Sequence, residues 1–159
     1  MRKIVILGCL AILLTSCILP SLNATIQIDN TPPEITIVNP VEGYFHFSGI
    51  QLFTTPFDLI GDTMGFGGFR VKPVQAIITD DIDDASQISA SIYWTDVTKP
   101  DDYQKERDMQ YNGDLELFEG KWIGPALGTF YMKIVAEDSS GNSAEAIMTV
   151  WYFCFVPEP

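Results

Sequence analysis

The chain has 159 residues, 47% of them hydrophobic, and carries 21 acidic side chains against nine basic ones for a formal net charge of −12. That is enough apolar material for one core and hardly for two. The acidic balance argues against nucleic acid as a partner, because affinity for phosphate backbones comes mostly from Lys and Arg.

The N-terminus reads as an export signal. Met1-Arg2-Lys3 is a short cationic start, and the apolar run from Ile4 to Leu14 is followed by small and polar residues and Pro20. A retained membrane span would need roughly 18 or more apolar residues, and Thr15 and Ser16 interrupt the run. Two cleavage points compete. Leu14-Thr15-Ser16-Cys17 resembles a lipobox, which ends the leader at residue 16 and makes Cys17 the lipid-bearing first residue of a membrane-anchored protein. A cut after Ala24 instead gives a released protein and a leader of 1–24; it also destroys the Asn23-Ala24-Thr25 sequon. Losing residues 1–24 removes Arg2 and Lys3 and no acid, so nine basic residues become seven against 21 acidic, a net of −14. Cys9 and Cys17 go with the leader or its end, and Cys154 is then alone in the folded part, with no intramolecular disulfide to form.

Residues 25–33 read as a polar linker whose Pro32-Pro33 fixes an extended approach. Beyond it, short segments with period-two apolar alternation predict an all-β domain over 34–156, with 157–159 as a tail. Ile35 and Ile37 alternate in the first; Val74, Ala76 and Ile78 in the next; then Ile88, Ala90, Ile92 and Trp94; and later Phe130, Met132, Ile134 and Ala136. Asn112-Gly113 predicts a type I′ hairpin turn. Each patterned run has one apolar face, which predicts two antiparallel sheets packed as a sandwich. Gly43 to Phe69 departs from the rhythm. It is an aromatic- and Gly-rich insertion after the first strand, and its glycines lack the order of a nucleotide-binding loop. The last strand has apolar residues on both faces, Met148, Val150, Tyr152 and Cys154 on one and Ile147, Trp151, Phe153 and Phe155 on the other. We expect the insertion to cover the second face; the rival is a partner that pairs with this strand, giving a strand-mediated oligomer.

The segment from Gly128 to Glu145, with Gly128, Phe130 to Ala136, Asp138, Gly141 and Asn142, resembles the last hairpin of bacterial and archaeal Ig-like domains of secreted and cell-surface proteins. "TPPEITIVNPVEGYF" is similar to their first strand and its flanks. The resemblance implies an Ig-like two-sheet sandwich and says nothing of chemistry. It departs from that pattern at the insertion and at the long "TDVTKPDDYQKERD" segment after the third patterned strand.

Catalytic signals are sparse. The one histidine, His46, and Cys154 both sit in aromatic, strand-like runs and read as packing residues, and no enzyme activity or cofactor is expected. The one ionic constellation is Asp80, Asp81, Asp83 and Asp84, which an Ig-like sandwich would bring to the same end as Asp138. Together they are the candidate metal ligands, for calcium, against a solvated acidic loop as the alternative. Asp138 and Asn142 also make sense as turn-formers around Gly141. The functional expectation is a non-catalytic, exported module for binding or structure at the cell surface, with a surface protein or polysaccharide as partner. A membrane contact is expected only through lipid on Cys17. The second expectation is a carbohydrate-binding accessory domain that stacks sugars on Tyr103, Tyr111 and Trp122.

Overall fold

The computed structural model describes residues 28–47, 50–54, 64–67, 72–122 and 127–153. Eleven strands lie among them: β1 (Glu34–Asn39), β2 (Tyr44–Phe47), β3 (Ile50–Thr54), β4 (Met64–Gly67), β5 (Lys72–Thr79), β6 (Ser89–Asp96), β7 (Gln104–Asp108), β8 (Gln110–Asn112), β9 (Leu117–Trp122), β10 (Leu127–Glu137) and β11 (Ser143–Phe153). The only helical piece among the described residues is a single 3-10 turn, Ala85–Gln87. One sheet has the order β1-β5-β9-β8 and is antiparallel throughout. The other has the order β3-β2-β4-β11-β10-β6-β7. The protein is an all-β, two-sheet sandwich, as the alternation predicts.

The alternating runs fill the space between the sheets. Val74, Ala76 and Ile78 of β5 and Ile92 of β6 are buried, and Phe130, Met132, Ile134 and Ala136 of β10 join them. Each fully buried aliphatic or Phe side chain gains roughly 1.5–3 kcal/mol from leaving water, before the cost of ordering it. At the centre Trp122 is fully buried, with its ring centroid 5.8 Å from Tyr152 and 6.2 Å from Phe130. That location removes Trp122 from any sugar-stacking surface. Gly120 lies two residues before it in β9, and a Cβ there would collide with Ile92 Cδ1 and come within 3.1 Å of Met109 Cγ. The absent side chain lets β9 approach β6 closely.

The insertion meets the last strand by a route the sequence did not predict. β4 pairs in parallel with the end of β11, Val150↔Met64 to Phe153↔Gly67, and β2 pairs in parallel with β4. β3 then pairs antiparallel with β2 and becomes the outer edge. So the insertion reaches β11 by adding strands to its edge. The far half of β11 is thereby an interior strand, and its backbone N–H and C=O groups are engaged inside the chain. Along β11, Val150 and Tyr152 face the core, while Ile147 on the opposite face is 52% exposed. The Asn112-Gly113 turn is also different. β8 and β9 form a hairpin, but Asn112 pairs with Leu117 across a longer connection in which Glu116, not Gly113, takes a positive φ of 53°. Asn112 Oδ1 accepts hydrogen bonds from Asp114 N–H (3.1 Å) and Leu115 N–H (3.4 Å), and this side-chain capping replaces the tight turn.

Candidate metal centre

The β5–β6 loop, the β10–β11 turn and the segment leading into β1 meet at one end of the sandwich. The β10–β11 turn is built around Asp138, which spends its whole side chain on it. Its Oδ1 accepts from Ser140 N–H and Asn142 N–H, both at 2.8 Å, and its Oδ2 accepts from Asn142 Nδ2 at 2.8 Å. Gly141 supplies the left-handed backbone at φ +90°. Burial works against the charge on Asp138, but the hydrogen bonds from Asn142, Ser140 and Gly141 outweigh it and hold the carboxyl below its ordinary value. Asp138 is therefore a turn-former, and the expectation that it is a metal ligand is replaced by this role.

The acidic run after β5 divides in the same way. Asp83 turns toward the β10–β11 turn, where its Oδ2 accepts from Ser139 N–H (2.6 Å) and its Oδ1 from the Ser139 hydroxyl (3.0 Å). Asp84 starts the 3-10 turn, with its N–H donating to Gln87 Oε1 at 3.1 Å. Neither stands with the other carboxylates as a ligand. Asp80 does: its Oδ1 accepts from Ile82 N–H (3.0 Å) and Asp83 N–H (2.9 Å), while its Oδ2 is buried with no hydrogen-bond partner.

The residue missed by sequence reasoning is Asp29, which lies in the segment that reads as a polar linker. Asp29 is only 8% exposed. Its Oδ1 accepts from Thr31 N–H at 3.0 Å, a two-residue Asx turn, and its backbone carbonyl accepts from Asn142 Nδ2 at 3.3 Å. Its Oδ2, like that of Asp80, is buried and meets no donor. Thr31 Oγ1 reaches across to Asp81 Oδ2 at 3.4 Å. Asp29, Asp80 and the exposed Asp81 each bring a carboxylate oxygen into one group whose members all lie within 4.8 Å of one another. At that separation two like charges repel by about 3 kcal/mol at an effective dielectric constant of about 20, before solvent screening at Asp81. The signal in the sequence was Asp29-Asn30-Thr31 directly ahead of Pro32-Pro33: an Asx-turn former followed by a stiff pair that limits where the carboxylate can go.

The remaining candidates have structural explanations or lie elsewhere. His46 is buried; its Nε2 accepts from Val41 N–H (3.2 Å) and its Nδ1 lies 3.1 Å from the Tyr44 carbonyl. Those partners fit a neutral ring with its proton on Nδ1. Tyr103 carries Lys133 Nζ 4.0 Å above its ring centre, and Tyr111, 40% exposed, tilts against Phe118. Cys17, Cys154 and Phe155 lie outside the described residues. An open cleft of 320 Å³ runs beside the β6–β7 connection, lined by Trp94, Asp96, Lys99, Gln104 and Phe130 among others. Asp102 also lines it, and each of its two carboxylates is engaged locally: Asp96 Oδ1 accepts from the N–H (2.8 Å) and hydroxyl (2.7 Å) of Thr98, and Asp102 Oδ1 accepts from Gln104 Nε2 (2.9 Å). No helix among the described residues is long and apolar enough to cross a membrane. No protein-family model matches this chain, and a search of curated proteins finds no similar sequence.

Proposed function

We propose that this chain is a non-catalytic Ig-like module, exported and acting at or outside the cell surface as a binding or structural unit. The observation that carries the reading is the strand order. β1-β5-β9-β8 faces β6-β10-β11 as strands A-B-E-D face C-F-G in constant-type immunoglobulin domains, with β7 in the place of C′. The insertion falls between the first two strands of that scheme and lengthens the C-F-G sheet beyond β11. A fold of this kind hosts many functions, so location and role rest on the cationic-apolar leader and on the acidic surface. The chemistry at hand favours a module over a catalyst: His46 is committed to backbone groups, and Asp138 and Asp83 are committed to turns.

Mass spectrometry of the N-terminus, combined with protease treatment of intact cells, tests the reading. A processed chain beginning at Cys17 with attached lipid, or at Thr25 without it, and digested from outside, is the expected result. A chain that keeps Met1 and is protected until the cells are broken would overturn it.

A further inference from the structure

We propose that Asp29, Asp80 and Asp81 form a calcium site that fastens the segment leading into β1 to the β5–β6 loop. The donors are all carboxylate oxygens, the hard ligands that calcium takes from proteins in irregular geometry together with backbone carbonyls and water. Two oxygens that share a calcium at 2.3–2.6 Å can be at most about 5.2 Å apart. The three carboxylates meet this limit, lying within 4.8 Å of one another.

Acidic groups often cluster on surfaces without holding an ion, so the proximity alone decides nothing. The second observation is that the cluster reaches inside the protein. Asp29 is more than nine-tenths buried, and its Oδ2 has no hydrogen-bond donor; Asp80 Oδ2 is in the same condition. An ionised carboxylate taken from water with one oxygen left without a donor is costly, and placing a second and third beside it adds repulsion. A divalent cation removes both costs at once.

The surroundings also hold the ligands in position. Asp29 is fixed through Oδ1 by Thr31 N–H, and Asp80 through Oδ1 by the N–H groups of Ile82 and Asp83. In each case one oxygen is used by the backbone and the other is left over, which orients the carboxylate before any ion arrives. Thr31 Oγ1 steadies Asp81 from the lead-in side at 3.4 Å. The site joins residues 51 positions apart in sequence, Asp29 and Asp80, so occupancy reports directly on whether the lead-in segment is docked. This inference does not depend on where the module works.

Isothermal titration of the purified chain with calcium chloride, and separately with magnesium chloride, tests it. A saturable one-site isotherm with calcium, at a Kd of roughly 1 mM or tighter, and clearly weaker binding of magnesium are expected. Asp29→Asn keeps an oxygen for Thr31 N–H and should weaken calcium binding by roughly tenfold or more, whereas Asp84→Asn should leave it within about twofold. If Asp29→Asn does not fold by circular dichroism, the exposed Asp81→Asn takes its place with the same expectation. No saturable heat up to about 10 mM calcium, magnesium binding as tight as calcium, or unchanged affinity in both Asp29→Asn and Asp81→Asn would overturn the site.

Discussion

Asp138 and Asp29 sit a few residues' width apart at the same end of the sandwich, both buried and both held by the same Asn142, yet they are opposites. Asp138 has donors on both oxygens; Asp29 has a donor on one and none on the other. The difference teaches how to separate a carboxylate that builds a turn from one that can take a ligand. Burial and acidity are shared by both, and only the unspent oxygen distinguishes them. Asp83 falls on the Asp138 side of that line and Asp80 on the Asp29 side.

Substitutions can break or sharpen this division. The scale is set by the core, where Trp122→Ala should cost about 3–5 kcal/mol in chemical denaturation, through the cavity it leaves against Tyr152 and Phe130. Asp138→Ala comes next. It strips the turn of its acceptors, leaves the N–H groups of Ser140 and Asn142 without them, and should lower Tm by several degrees whether or not calcium is present. Gly141→Ala, at φ +90°, should cost about 1–2 kcal/mol by forcing a side chain into the left-handed region. Smallest is Asp29→Asn in chelator, with stability expected within about 0.5 kcal/mol of the parent chain or above it, because repulsion with Asp80 and Asp81 is relieved. A large loss there, comparable to Asp138→Ala, would erase the distinction between the two carboxylates.

Acid sharpens the same contrast. The folded-state pKa of Asp138 lies below its ordinary value of 3.8. Its contribution is therefore fully present above that ordinary value and is lost as pH falls through it toward the folded-state value. Asp138→Asn should flatten the loss of stability below about pH 4 relative to the parent chain. An unchanged acid limb in that variant would mean that the turn does not depend on the carboxylate charge.

Much of this architecture was legible in the sequence, and the reason is local. Val74, Ala76 and Ile78, and Phe130 through Ala136, alternate because each belongs to a strand with one face in the core, and that pattern needs no knowledge of the rest. The Asp138-Gly141-Asn142 turn was legible for the same reason, since its hydrogen bonds span only a few residues. What the sequence hid is non-local. Trp122 is among the aromatics the sequence offers for sugar stacking, and it is buried by Phe130 and Tyr152, which come from strands distant in the chain. Asn112-Gly113 predicts a tight turn, but the register Asn112↔Leu117 spends more residues on the connection. The apolar second face of β11 predicts that the insertion lies over it, whereas the insertion extends the edge through β4, a choice set by backbone pairing rather than side-chain pattern. Two of the three members of the metal set, Asp80 and Asp81, are legible in the acidic run; Asp29 lies in a segment that only the fold brings back to it.

Hydrogen–deuterium exchange with and without calcium tests the account most directly, because it reads the two kinds of carboxylate turn in one experiment. Slower exchange on adding calcium is predicted at the amides of Thr31, Ile82 and Asp83, which flank Asp29 and Asp80, with no change at Ser140 and Asn142 beyond their already formed bonds to Asp138. Equal exchange with and without calcium at Thr31, Ile82 and Asp83, or a uniform slowing that includes Ser140 and Asn142, would contradict it.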